Sequence, residues 1–84
     1  MTVVDFTEVR KTRRRQILEM ALIRFGNMSI GCVVRNLSEA GAALGVGSQR
    51  GIPDQFTLIV ISKKKIYSCQ VVWRRDRTIG VSFY

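Results

Sequence analysis

Five of the six residues from Arg10 to Arg15 are cationic: Arg10, Lys11, Arg13, Arg14 and Arg15, interrupted only by Thr12. A guanidinium group offers two parallel N–H bonds to a phosphate, or to the O6/N7 edge of a guanine. In an extended or looped run, several such groups can wrap one polyanion. A second grouping follows at Asn36-Leu37-Ser38-Glu39-Ala40-Gly41. Strand alternation puts Asn36 and Ser38 in phase with the apolar Val34 and Cys32. Two small polar side chains there need partners. They either close a turn on the local backbone, with Gly41 taking a φ that other residues avoid, or project at a barrel rim beside the basic run. A third grouping lies near the end, where the only tryptophan, Trp73, precedes Arg74, and Gly80 interrupts an alternating segment. An indole there either fills the core or rim, or offers a flat face to a base. A glycine inside a strand marks a bulge or a close approach.

Other chemistry is excluded. The chain has no histidine, which removes the commonest general base and metal ligand. Cys32 and Cys69 are far apart and cannot make a zinc site alone; they read as small buried apolar residues. The six carboxylates are scattered, with no acid/base pair, so an enzyme is not expected. Fourteen Lys and Arg against six Asp and Glu leave +8, and ten of the fourteen are Arg. That balance points to an anionic partner. At 84 residues, 46% hydrophobic and 24% charged, the chain is one globular domain. No stretch approaches the ~20 apolar residues of a membrane helix. No basic-then-apolar leader pattern opens the chain, so the cytoplasm is the expected location.

The elements that must position these groups are strands. Alternation runs through 20–25, with Ala21, Ile23 and Phe25 on one face, and Gly26-Asn27 reads as a hairpin turn. It continues through 30–38, with Ile30, Cys32, Val34, Asn36 and Ser38 on one face and Val33, Arg35 and Leu37 on the other. A short strand covers 42–46 and a loop 47–54. The apolar run 55–61 predicts a buried strand. Residues 66–74 alternate with Tyr67, Cys69, Val71 and Trp73 in phase, Arg75-Asp76 predicts a tight turn, and 77–83 place Ile79, Val81 and Phe83 together. The one helix candidate, 14–21, also suits the start of a strand. Six short strands predict an all-β domain, an antiparallel barrel that leaves no exposed edge. Residues 1–15 form a flexible basic arm and 16–84 the barrel.

This order of features resembles the PilZ domain, the bacterial receptor module for cyclic di-GMP. Arg10-x-x-x-Arg14 precedes a strand pair, Asn36-x-Ser38-x-x-Gly41 follows, and the chain runs through Val-Val-Trp-Arg to Ile79-Gly80-Val81-x-Phe83. The resemblance covers roughly residues 8–84. It implies a six-stranded antiparallel barrel, in agreement with the strand count. It also implies ligand contacts from Arg10, Arg14, Asn36, Ser38 and Gly41, with Lys11, Arg13, Arg15 and Trp73 adjacent. Asn36 stands where many members have Asp, and Val9 where many have a further arginine. The second departure implies that one dinucleotide binds better than a stacked pair.

The expected function is therefore cyclic di-GMP reception in second-messenger signalling, with no cofactor and a downstream protein partner. The basic run repels itself when free and orders on the anion. Two competing readings are a small basic barrel that binds RNA or DNA, and a pure interaction module. Against the first, the strands lack the interleaved aromatics of nucleic-acid platforms. Against the second, Arg10 and Arg14 are present.

Overall fold

The computed structural model describes residues 15–84, with side chains from Leu18 onward. Six antiparallel strands close into a barrel in the order β1-β2-β3-β6-β5-β4. They are β1 (Arg15–Phe25), β2 (Met28–Leu37), β3 (Gly41–Gly45), β4 (Gln55–Val60), β5 (Lys65–Arg75) and β6 (Thr78–Phe83). One 3-10 turn, Ile61–Lys63, links β4 to β5. No helix among these residues is long and apolar enough to cross a membrane.

Alternation explains the core. Ala21 and Ile23 of β1, Cys32 and Val34 of β2, Leu44 of β3, Phe56, Leu58 and Val60 of β4, Cys69 of β5, and Ile79 and Val81 of β6 are all buried. Each large aliphatic chain among them contributes roughly 1.5–3 kcal/mol by leaving water. Phe25, Ile30, Tyr67, Val71 and Phe83 pack against this cluster. The Tyr67 and Phe83 rings stack at 4.2 Å between centroids. The apolar run of β4 proves to be one-sided: Phe56, Leu58 and Val60 point inward, while Thr57 and Ile59 are half-buried on the outer face. Both cysteines are free and lie in the core. Burial pushes the Cys32 thiol up to about 11. It pushes Cys69 up to about 12, with a further rise from the neighbouring Cys32 and a smaller opposing effect of a backbone hydrogen bond at Leu58.

Three irregularities change the phase of strands that strict alternation would predict. Residues 17 and 18 of β1 oppose the single residue Arg35 of β2, because Gln16 pairs with Asn36 and Glu19 with Val34. The helix candidate at 14–21 is thus a bulged strand from Arg15 onward. Arg35 is itself an extra residue opposite β3, where Val34 pairs with Leu44 and Asn36 with Ala43. Leu37 therefore packs against the core and Asn36 leaves the face of Cys32 and Val34, the reverse of the sequence expectation. Val72 is the extra residue of β5, between the pairs Val71–Val81 and Trp73–Gly80. A bulge moves every following side chain to the other face.

The turns follow their residue types. Gly26 adopts φ 56° in the first hairpin. The β5–β6 turn falls at Asp76-Arg77, one residue beyond the expected Arg75-Asp76. The 46–54 loop covers one end of the barrel with the buried Val46 and Ile52. Arg74 ties it down, donating to the Ile52 carbonyl at 2.9 Å and to Asp54 Oδ1 at 2.8 Å. The Gln49 amide donates to the Arg75 carbonyl and, at 2.8 Å, to that of Asp76.

Candidate functional site

Ser38 follows β2 and organises the turn into β3. Its backbone N–H donates to the Gly41 carbonyl at 2.9 Å. Its hydroxyl oxygen accepts from Ala40 N at 3.2 Å and Gly41 N at 3.3 Å. The hydroxyl is thus engaged with the local backbone, which is one of the two roles open to it on sequence grounds. The turn is anchored to β6 where Phe83 N donates to the Ala40 carbonyl at 2.8 Å.

Gly41 serves a different purpose from the one expected. Its φ is not positive; Gly26 and Gly51 are the glycines with that conformation. The requirement is space, since a Cβ at Gly41 would overlap the carbonyl oxygen of Val81 across the β3–β6 pair. The glycine lets two strands approach where the barrel closes.

Trp73 sits on the outer face, because the Val72 bulge turns it away from the Cys69 and Val71 phase. Its indole covers Gly80, where any Cβ would collide with the ring, and it remains 42% exposed. The Arg75 guanidinium lies 5.3 Å from the ring centroid, within cation–π range. The close approach anticipated at Gly80 is thus that of a tryptophan.

Across the barrel these positions form one row. Trp73 pairs with Gly80, Gly80 with Ala43, Ala43 with Asn36, and Asn36 with Gln16. The inward neighbours Leu37, Ala42 and Val81 identify this as an outward-facing row. The row carries an amide at one side and, at the other, an indole laid over Gly80, with the small Ala43 between them. At ~4.8 Å per strand, Asn36 and Trp73 stand roughly 14 Å apart.

Comparison with family models, curated proteins and solved structures yields no match.

The backbone of Arg15 pairs with Leu37, the residue before Ser38. The chain therefore joins β1 at the barrel end that carries the Ser38–Gly41 turn. Arg10, Lys11, Arg13 and Arg14 precede this point and lie outside the described residues. The Lys63–Lys65 turn also belongs to this end, since Ala21 pairs with Val60 and β4 runs antiparallel to β1.

Arg75 and Ala43 were not singled out in the sequence. Sequence spacing puts Arg75 in a turn, and Ala43 is an ordinary strand residue. Cross-strand pairing alone brings both beside Trp73 and Asn36. No group of His, Cys, Asp and Glu among the described residues could hold a metal ion.

Proposed function

We propose that this protein is a PilZ-type receptor for cyclic di-GMP. The observation that carries this reading is the outer row Asn36–Ala43–Gly80–Trp73, beside the point where the basic run joins the barrel. The indole laid over Gly80, with the small Ala43 beside it, leaves a low surface for a flat ligand. Trp73, whose inner face rests on Gly80, offers its exposed part as a stacking surface for one guanine, and the Asn36 amide can both donate to and accept from a base edge. The guanidinium groups of Arg10 and Arg14 bind the phosphates, supported by Lys11, Arg13 and Arg15. Ser38 and Gly41 act through the turn they build, which holds Asn36 and the start of β1 in place.

Binding of two phosphates by a run of like charges makes the affinity salt-dependent, though less steeply than for a long nucleic acid. The ligand neutralises the like charges of the basic run, and that change is the signal to a partner protein. Such a role involves no catalytic step and no cofactor and belongs in the bacterial cytoplasm.

Calorimetric titration of cyclic di-GMP into the full chain tests this. Saturable binding is expected, abolished in Arg14→Ala and weakened in Ser38→Ala. No heat and no NMR shift change on adding cyclic di-GMP would reject the reading. Binding of a single-stranded oligonucleotide at low salt, without competition by the dinucleotide, would instead establish a nucleic-acid binder.

A further inference from the structure

A second outer row runs parallel to the first. Met20 pairs with Val33, Val33 with Gly45, Gly45 with Thr78, and Thr78 with Arg75. Over it lies a groove of about 540 Å³, lined by Met20, Val33, Arg35, Gly45, Arg77 and Thr78 with their neighbours. That volume is within the usual range of small-molecule sites. Gly45 has no side chain, which leaves a seat on the groove floor. The Arg35 side chain occupies the vacant space, its Nε 2.8 Å from where a Cβ would stand.

The chemistry of this groove is one-sided. The only ion pair among the described residues is Arg74–Asp54. Arg35 and Arg77 therefore bring two positive charges into the groove with no described carboxylate to neutralise them. No acidic side chain lines it. Met20, the cross-strand partner of Val33 in the same lining, is 64% exposed. Two guanidinium groups beside an exposed apolar wall suit a molecule that is anionic at one end and flat and apolar at the other.

We infer that this groove is a second anion site that takes a nucleoside phosphate, the phosphate on Arg35 and Arg77 and the base against Met20 and Val33. The Thr78 hydroxyl is the one side-chain oxygen in the lining, so the site reads phosphate and ring rather than base edges. The assignment goes beyond the receptor reading, because none of these residues belongs to the Arg10–Arg15 run or the Asn36–Gly41 turn.

The test is an amide NMR titration of the full chain with 5′-AMP, 5′-GMP and inorganic phosphate. The two nucleotides are expected to bind within about threefold of each other and to shift Gly31, Val33, Gly45, Gly47 and Thr78, with phosphate alone far weaker. Arg35→Gln and Arg77→Gln should each weaken binding about tenfold, the worth of one charge-assisted bond. Gly45→Val, which displaces the Arg35 side chain from its seat, should weaken binding at least as much as Arg35→Gln. Retained dispersion of the amide spectrum shows that each variant is folded. No saturable shifts, shifts confined to Ser38–Gly41 and Trp73, or binding undiminished in all three variants would overturn the site. Phosphate binding as well as the nucleotides would overturn the base-stacking half of it. Cyclic di-GMP binding is read at Ser38–Gly41 and Trp73, so either conclusion can fail while the other stands.

Discussion

The indole of Trp73 rests directly on Gly80 of the neighbouring strand, in space that any side chain at residue 80 would fill. The tryptophan is held flat on the barrel surface by a missing side chain. Its position is therefore controlled by a residue that has no other contact to offer a ligand.

Gly80→Val should lift the ring off the sheet. Because Trp73 is the only tryptophan, the fluorescence maximum of the folded variant should move to the red. Overpacking at this site should also cost about 1–3 kcal/mol in urea denaturation. An unchanged emission spectrum in a folded variant would show that the ring does not depend on Gly80.

Within the β2–β3 turn, Ser38 and Gly41 should differ in importance. Ser38→Ala removes hydrogen bonds at an exposed turn, worth about 1 kcal/mol. Gly41→Ala drives a methyl group into the Val81 carbonyl, backbone that cannot swing aside, and should cost about 2–3 kcal/mol. Chemical denaturation of the two variants side by side decides the order. A larger loss in Ser38→Ala would contradict the close-approach explanation.

The thiols make stability depend on alkaline pH. Folded Cys32 and Cys69 hold their protons up to about 11 and about 12, against an ordinary value of 9.0. Below pH 9 both states are protonated and the stabilisation is fully present. Between 9 and the folded values the unfolded chain ionises first, so stability falls as pH rises. The slope should approach about 1.4 kcal/mol per pH unit for each thiol and should shrink in Cys69→Ala. Equivalently, a thiol reagent at pH 8 should modify neither cysteine until the barrel unfolds.

Arg74 should act as a clasp for the loop that covers the opposite end of the barrel. It is about one-third exposed and its partner Asp54 is largely solvated, so the ion pair itself contributes little. The bond to the Ile52 carbonyl matters more. Arg74→Met should cost about 1 kcal/mol and speed hydrogen exchange at Val71, whose N–H donates to the Asp54 carbonyl at 2.7 Å. Unaltered exchange there would place the loop's stability in Ile52 packing instead.

The strands and most of the core were legible in the residues, because period-two alternation is a local property. Ala21, Ile23, Cys32, Val34, Ile79 and Val81 face inward as their spacing requires. The turn at Gly26-Asn27 was legible for the same reason, since φ preference belongs to single residues. Asn36, Leu37 and Trp73 were misphased, and in each case an extra residue, Arg35 or Val72, precedes them. A bulge is decided by what lies opposite, and nothing in the strand's own sequence reports its partner's register.

The same distinction governs the candidate site. The density of arginines from Arg10 to Arg15 and the turn chemistry of Ser38 are evident from the chain alone. That Asn36 and Trp73, far apart in sequence, share one outward row over Ala43 and Gly80 follows only from closing β2, β3, β6 and β5 into adjacent strands. The groove between Arg35 and Arg77 arises in the same way. Side-chain type is local and can be read residue by residue. Which side chains become neighbours depends on non-local hydrogen-bond register, and one inserted residue reverses every face that follows.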